Sequence, residues 1–263
     1  MVKLSRSKID LFVKCPRCFW LDVKKGVKRP PPAPYTINSA IDYLLKQEFD
    51  IYREKGEPHP IMIEAGVEAV PYAAPEMDKW RHNFTGVRYE DKKNDFLVFG
   101  AVDDVWINPK GQLIVVDYKS TGAAQHKIHE SYPRQMEIYQ WLLSQNDYDV
   151  SPVGYFVFAR ANKGKTFGHG QAVLPFDIFV EPLNGDPSWI PGTLMKMRAV
   201  LDSDIPPDPS GKCINPQTDF EKNDAYCKYR LDAVKAATLP KETLPKPTAH
   251  AARKTKDNPL DFS

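Results

Sequence analysis

The sequence predicts an α/β fold in which a central mixed β-sheet is flanked by helices. Three observations support this prediction. Helical apolar spacing comes first, strand-like segments follow in the middle of the chain, and two further helical segments alternate with the later strands. One of the strands contains the run LIVV (113–116), which is apolar on both faces. Such a strand is typical of the centre of a sheet.

The N-terminal part of the chain is expected to be helical. Residues 5–25 carry apolar side chains at helical spacing and are interrupted near Pro16, which indicates one or two short helices. The proline-rich run at 29–34 reads as a stiff connector. From Ser39 to Glu54 the apolar residues recur at helical spacing, which predicts an amphipathic helix.

The rest of the chain predicts strands and two more helices. Strands are expected from alternating or continuous apolar runs at 84–90, 95–107, 112–120, 153–160 and 172–180. A turn at Asn108–Gly111 separates the second and third of them. Helices are expected from about Pro133 to Ser144 and from about Pro191 onward. Beyond about residue 238 there are too few apolar residues to fold, so residues 1–238 are predicted to form the domain and 239–263 a disordered basic tail.

Composition and charge narrow the classes of protein. The chain has no apolar run of the roughly 18 residues that a membrane span needs, and its N-terminus lacks the features of a secretory signal, so an intracellular, cytoplasmic protein is expected. Residues 1–35 hold nine Lys or Arg and two Asp, although the net charge of the chain is +2. This distribution suits a protein that binds phosphate near a carboxylate-bound cation. The alternative is a solvated basic face, which the charge distribution by itself favours.

Two carboxylates and a lysine form the candidate catalytic group. Asp103 and Asp117 are separated by thirteen residues that include the predicted turn, so a hairpin would bring both carboxylates to one edge of the sheet. Mg²⁺ and Mn²⁺ prefer carboxylate, carbonyl and water oxygens, and the Tyr118 carbonyl lies beside Asp117. Lys119 lies on the same face of the strand as Asp117 and is placed to orient water and stabilise a charged transition state.

A purely structural explanation of these residues is that Asp103 is part of a surface acidic pair while Asp117 and Lys119 form a salt bridge. The context argues against it, because Asp117 and Lys119 follow a fully apolar strand, where charged groups need a partner or a function.

The segment GAVDDVWINPKGQLIVVDYKST (100–121) resembles the G-x-x-D…D-x-K core of the RecB-like branch of the PD-(D/E)xK nucleases. The following helix contains Gln135 and Tyr139, which match the Q-x-x-x-Y motif of that branch. The resemblance implies a restriction-endonuclease-like core and a metal-dependent nuclease. It also implies that Gln135 and Tyr139 contact DNA or brace the active site.

The N-terminal segment LSRSKIDLFVKCPRCFWL (4–21) resembles the opening helix of the same branch. In the next helix, members of the branch often carry a metal-binding histidine, and the corresponding position here is Asp42. The resemblance therefore implies that Asp42 joins Asp103, Asp117 and Tyr118 as a metal ligand. The change from histidine to aspartate puts metal preference and full activity in question.

The four cysteines form a second candidate site. Cys15 and Cys18 lie near the N-terminus, and Cys213 and Cys227 lie near the end of the predicted domain. CRISPR-associated RecB-like nucleases and AddB-like subunits hold a 4Fe–4S cluster with four such cysteines, and the resemblance implies one here. A zinc ion and plain thiols remain alternatives, since thiolates suit both iron–sulfur clusters and zinc.

The leading function is a Mg²⁺- or Mn²⁺-dependent deoxyribonuclease. We expect an exonuclease that acts on single-stranded ends or flaps, in DNA recombination, repair or CRISPR adaptation, with proteins of those pathways as partners. The alternative is a weak or inactive DNA-binding scaffold subunit with the same fold. A structural metal protein in which D-x-K is coincidental is a third reading.

Overall fold

A computed structural model of the protein describes residues 1–28, 36–123, 125, 128–164 and 172–208. The predicted connector at 29–34, the cysteines Cys213 and Cys227, and the predicted tail at 239–263 lie outside the described residues. None of the helices within these ranges is long and apolar enough to cross a membrane.

The order of elements alternates helices and strands, as the sequence predicts. The helices are α1 (Arg6–Lys14), α2 (Pro16–Lys25), α3 (Thr36–Lys55), α4 (Pro60–Glu64), α5 (Met77–Arg81), α6 (Ser131–Ser144) and α7 (Trp189–Asp202). The strands are β1 (Val2–Ser5), β2 (Val70–Pro71), β3 (Val87–Asp91), β4 (Phe96–Gly100), β5 (Asp104–Ile107), β6 (Leu113–Thr121), β7 (Val153–Ala161) and β8 (Phe176–Asn184).

Most of the predicted elements are confirmed. The break near Pro16 separates α1 from α2, where Cys15 is extended and Pro16 occupies the first turn of the new helix. The predicted turn joins β5 to β6, and the Asn108 side chain accepts hydrogen bonds from the Lys110 and Gln112 amides at 3.0 and 2.9 Å. The last strand begins four residues later than predicted, at Phe176, and ends at Asn184.

The expectation of one sheet with a continuous strand over 95–107 is wrong. The strands form two sheets, in the orders β1-β4-β3 and β2-β5-β6-β7-β8. Between β4 and β5 the chain leaves the three-stranded sheet, because backbone groups of this segment form hydrogen bonds with α5 and not with a neighbouring strand. The Val102 amide donates to the Trp80 carbonyl at 3.1 Å, and Arg81 Nε donates to the Asp103 carbonyl at 3.1 Å.

The five-stranded sheet is mixed, in agreement with the predicted fold class. Strand β6 runs antiparallel to β5 and parallel to β7, and β8 returns antiparallel to β7. In this register Asp104 faces Val116 and Asp117 faces Phe156. Asp103 therefore lies one position before the first paired residue of β5, close to Asp117 on the neighbouring strand.

The two faces of β6 pack against different layers. Val115 belongs to a core cluster that includes Met136 and Leu142 of α6, whereas Val116 belongs to a second cluster that includes Leu45 and Phe49 of α3. Side chains alternate between the two faces of a strand. Asp117 and Lys119 consequently share the face of Val115, and Tyr118 faces α3.

Candidate active site

Asp103 and Asp117 come together at the junction between the two sheets, as predicted from the hairpin. Asp103 lies in the break before β5 and not within a strand, and β6 continues four residues beyond Asp117. The position of Asp103 corrects the predicted continuous strand over 95–107, which would have placed Asp103 inside a strand. The Asp103 carboxylate accepts a hydrogen bond from the Tyr118 amide through Oδ2 at 3.0 Å, which fixes it beside β6.

The Asp117 carboxylate is completely buried. Its Oδ1 accepts a hydrogen bond from Gln135 Nε2 at 2.6 Å. Its Oδ2 forms an ion pair with the Lys119 ammonium. Burial, and then the nearby Asp103 carboxylate, raise the pKa of Asp117 to about 7, although Lys119 opposes the shift. The site thus contains a carboxylate whose negative charge is only partly balanced.

Lys119 lies between the carboxylates and the start of α6. Its side chain is 16% exposed and contacts Asp117, and its Nζ donates to Gln135 Oε1 at 3.4 Å. The ammonium also lies 4.8 Å from the centre of the Tyr132 ring, within the range of a cation–π interaction. Tyr132 was not identified from the sequence.

Helix α6 supports Asp117 through Gln135 and Tyr139, which lie one helical turn apart. The Gln135 amide donates both to Asp117 and, at 3.2 Å, to the Tyr139 hydroxyl. Burial raises the pKa of Tyr139 to about 12, so this hydroxyl remains neutral at ordinary pH. Both residues lie where a bracing role would place them, while contact with DNA remains a prediction.

Arg6 adds a positive charge that the sequence did not identify. Its guanidinium hydrogen-bonds Tyr139 and interacts electrostatically with Asp117 and Asp10. Burial by itself lowers the pKa of Arg6, but these partners outweigh it and the net effect raises the pKa. The only indication in the sequence is that Arg6, the first residue of α1, lies within the segment LSRSKIDLFVKCPRCFWL (4–21) that resembles the opening helix of the RecB-like branch.

Asp42 reaches the site through a lysine. The Lys46 ammonium donates to Asp42 Oδ2 at 2.8 Å and to Asp103 Oδ1 at 3.3 Å. Burial, and then Asp103, raise the pKa of Asp42. Burial alone would lower the pKa of Lys46, but Asp103 and Asp42 outweigh it, so Lys46 stays charged. The spacing of Asp42 and Lys46, four residues apart on a helix, was the available sign in the sequence.

A buried ionic network lies directly behind Asp103. Asp104 is fully buried and accepts hydrogen bonds from Arg81 at 3.0 Å, from Arg53 at 2.5 Å and from the Tyr118 hydroxyl at 2.6 Å. Burial, and then Asp104, raise the pKa of Tyr118 well above its usual value. This network ties α3, α5 and β6 to Asp104, which directly follows Asp103, so it fixes the segments that carry Asp42, Asp103 and Asp117 relative to one another.

The residues present suit one divalent cation better than a three-carboxylate site. Asp103, just before β5, and Asp117, in β6, present neighbouring carboxylates, and Asp117 Oδ2 is a buried oxygen whose partner is the Lys119 ammonium. Asp42 is instead engaged by Lys46. Among the residues that the structure describes, no three His, Cys, Asp or Glu side chains form a metal-binding group. The assignments of Asp42 and of the Tyr118 carbonyl as ligands remain predictions.

The cysteine site is only half within the described part of the chain. Cys15 and Cys18 are both buried where α1 meets α2. Arg17, which lies between them in the sequence, donates to the Pro207 carbonyl at 2.7 Å. This contact brings the last described residues next to α2, five residues before Cys213. Whether Cys213 and Cys227 complete a site with the other two cysteines stays a prediction.

Comparisons with known proteins bear on this geometry. No curated protein matches the chain at a significant level. A solved structure, the crystal structure of SSO0001, is 17% identical over 55% of this chain and 52% of its own chain, with a TM-score of 0.24. The chain thus spans about half the length of that protein, and the TM-score is too low to support an argument.

The family model of the PD-(D/E)XK nuclease superfamily matches residues 3–231, which include every residue of the candidate site. The chain therefore belongs to the PD-(D/E)XK nuclease superfamily.

Proposed function

We propose that the protein is a Mg²⁺- or Mn²⁺-dependent deoxyribonuclease whose catalytic residues are Asp103, Asp117 and Lys119. The observation that carries this proposal is the buried Asp117 carboxylate, which lies beside Asp103 and contacts Lys119 at the junction of the two sheets. A salt bridge alone would not explain why this fully buried carboxylate, already paired with Lys119, also lies close enough to the Asp103 carboxylate for that second negative charge to raise its pKa. Membership of the superfamily supports a nuclease in general.

The side chains divide the chemistry between them. Asp103, Asp117 and the Tyr118 carbonyl would hold the cation, which supplies a water of lowered pKa and neutralises charge on the scissile phosphate. The Lys119 ammonium is held by Gln135 and by the Tyr132 ring, so it is positioned to stabilise negative charge on the phosphate oxygens. Gln135 keeps Asp117 in place by donating to its other oxygen.

We propose DNA with single-stranded ends or flaps as the substrate and exonucleolytic cleavage as the reaction, in recombination, repair or CRISPR adaptation. The support for these finer assignments is the resemblance of the motifs around Asp103, Asp117, Gln135 and Tyr139 to the RecB-like branch. The proteins of those pathways are the proposed partners.

Cleavage of end-labelled single- and double-stranded DNA, with Mn²⁺, Mg²⁺ or EDTA, tests the proposal on anaerobically purified protein. We expect cleavage that EDTA abolishes, and a product ladder that reveals polarity. Asp117→Ala and Lys119→Met should each lower the rate by at least about 100-fold. Asp78→Ala, which removes an exposed carboxylate of α5, is the matched control and should cleave normally. Wild-type rates in Asp117→Ala would refute the assignment.

The second candidate function is a DNA-binding subunit that cleaves weakly or not at all. The observation that favours it is the engagement of Asp42 by Lys46, at the position where related proteins often carry a metal-binding histidine. This candidate predicts a gel shift of DNA that is independent of metal, with intact DNA under every condition of the cleavage assay.

We also propose that Cys15, Cys18, Cys213 and Cys227 hold a 4Fe–4S cluster, with zinc as the less favoured occupant. The contact of Arg17 with Pro207 supports the proposal, since it leads the chain toward the two buried cysteines shortly before Cys213. Iron and acid-labile sulfide should be present at about four atoms each in anaerobically purified protein. Cys213→Ser should lose both, and equimolar zinc without iron would contradict the cluster.

A further inference from the structure

Lys46 occupies a position between two of the three carboxylates of the candidate site. Its Nζ lies 2.8 Å from Asp42 Oδ2 and 3.3 Å from Asp103 Oδ1. The side chain is only 21% exposed, and that of Asp42 is 37% exposed. The ammonium therefore occupies the space in which a second cation would bridge these two carboxylates.

The backbone holds Lys46 there. Asp42 and Lys46 lie one turn apart on α3, on the side that approaches Asp103. The same helix buries Leu45 and Phe49 in the core, and Arg53, two turns further along, pairs with the buried Asp104. Because α3 is fixed on both sides of Lys46, the lysine is presented to Asp103 by a rigid element.

We propose that the Lys46 ammonium takes the place of a second metal ion, so that the active centre binds one divalent cation, between Asp103 and Asp117, and that Lys46 is a positioning residue for Asp42 and Asp103. The proposal rests on the proposed metal-dependent nuclease function. It adds to that function the number of ions that the centre holds, and it makes Asp42 a partner of Lys46 and not a metal ligand.

The formal charges favour this assignment. Counted without the more remote Arg6 guanidinium, the carboxylates of Asp42, Asp103 and Asp117 and the ammonium groups of Lys46 and Lys119 have a net formal charge of −1. One divalent cation reverses this charge to +1, whereas a second would raise it to +3 beside a fixed ammonium. Without Lys46 the centre would carry −2, and the Asp42 and Asp103 oxygens would be open to a second ion.

Counting bound Mn²⁺ on the full-length protein tests the proposal without measuring cleavage. Mn²⁺ is titrated into the protein in a calorimeter, and free Mn²⁺ is measured by electron paramagnetic resonance. The wild type should bind one equivalent per chain. The cysteines could also take up metal. Only those ions are therefore counted whose binding is lost when Asp117→Ala or Asp42→Asn is introduced. Lys46→Met, which keeps the length of the side chain and removes its charge, should bind two equivalents. Lys46→Arg, which keeps the charge, should bind one.

The double variant Asp42→Asn/Lys46→Met tests whether the second ion needs the Asp42 carboxylate or only the space that the Lys46 ammonium leaves. It should return to one equivalent, because the second ion needs the Asp42 carboxylate. Circular dichroism and urea unfolding establish that each variant is folded, and Lys46→Gln replaces Lys46→Met if the latter is not.

The outcomes are distinct from those of the function test. Two equivalents in the wild type would overturn the proposal whatever the variants do, and so would one equivalent in Lys46→Met or two in Lys46→Arg. No Mn²⁺ binding by the wild type, together with intact DNA in the cleavage assay, would instead contradict the metal-dependent nuclease itself.

Discussion

Among single residues, the buried Asp117 carboxylate couples stability to pH. Its pKa is raised by burial and Asp103 to about 7 in the folded protein, from an ordinary value of 3.8. The folded state therefore binds more protons than the unfolded state between about pH 4 and pH 7. Stability from this group is fully present below the unfolded pKa and is lost as pH rises through the folded pKa.

We predict that Asp117→Asn becomes more stable relative to the wild type as pH rises, because asparagine never carries the buried charge. In EDTA the difference in unfolding free energy should grow by about 2–3 kcal/mol between pH 5 and pH 8. Urea unfolding at both pH values measures it. Asp78 is an exposed carboxylate of α5, so Asp78→Asn measures how the loss of one negative charge alone changes the free energy of unfolding. A difference that is the same at both pH values would contradict the raised pKa.

Replacing Gln135 should reduce the function of the site, whereas replacing a comparable buried glutamine should reduce only the stability of the fold. The Gln135 amide holds Asp117 and Tyr139. We predict that Gln135→Ala weakens Mn²⁺ affinity or cleavage by about 10- to 100-fold, the usual effect of losing a group that orients a ligand. Gln140→Ala is the control on the same helix, since that buried amide donates to the Ser151 and Pro152 carbonyls. It should lower stability and leave Mn²⁺ affinity unchanged, and equal losses of affinity in both variants would argue against a specific role.

The residues of the candidate site were predictable from the sequence to different extents. Asp103, Asp117 and Lys119 could be grouped because a turn between two apolar runs forces their strands together. Gln135 and Tyr139 were identified through the resemblance to the Q-x-x-x-Y motif of the RecB-like branch, and their spacing places them one helical turn apart. Lys46 and Arg6 were missed, because they reach the site from α3 and α1, and their approach depends on packing between elements far apart in the sequence.

At the scale of elements, the junction between β4 and β5 determines the geometry of the site. The apolar pattern over 95–107 alternates well enough to predict one strand, although Gly100 and the adjacent Asp103 and Asp104 fall within it. The break arises because Trp80 and Arg81 of α5 compete for the backbone of Val102 and Asp103. Such competition comes from α5, an earlier segment of the chain, and cannot be deduced from the apolar pattern of 95–107 alone. The break is also what places Asp103 beside Asp117.

Asp104 is expected to be the electrostatic anchor of these elements. We predict that Asp104→Ala lowers the free energy of unfolding by about 3–5 kcal/mol, because it leaves Arg53 and Arg81 without their buried partner. Asp50→Ala is the matched control, since Asp50 pairs with the same two arginines but is 41% exposed, and it should cost at most about 1 kcal/mol. Urea unfolding measures both, and equal losses would show that burial of Asp104 is not what matters.

At the scale of the whole molecule, the charge pattern of the sequence is altered by folding. The basic excess of residues 1–35 suggested a phosphate-binding face. In the structure Lys8 pairs with Asp22 at 2.6 Å, and Lys24 pairs with Asp204 at 2.9 Å. Charge counted along the chain thus overstates the positive charge that this region presents, because Lys24 is neutralised by an acid from the far end of the described chain, whereas Asp22 is already part of the count.

The two sheets share one apolar core. Val98 of the three-stranded sheet and Val115 of the five-stranded sheet are both fully buried in the cluster that α6 completes. A core that spans both sheets leaves neither sheet able to bury its apolar face alone. The described fold should therefore unfold as one cooperative unit, although the break between β4 and β5 divides it into two sheets.

We predict that Val98→Ala and Val115→Ala each lower stability by about 2 kcal/mol, from the buried methyl groups and the cavity left behind. Both should shift a single transition, with the same midpoint by circular dichroism and by tryptophan fluorescence and an unchanged dependence on denaturant. Val173→Ala, at a position that is 61% exposed, is the control and should have little effect. If Val98→Ala instead produced a second, earlier transition, the three-stranded sheet would be an independent unit, and the position of Asp103 would depend on a junction that opens before the rest of the fold.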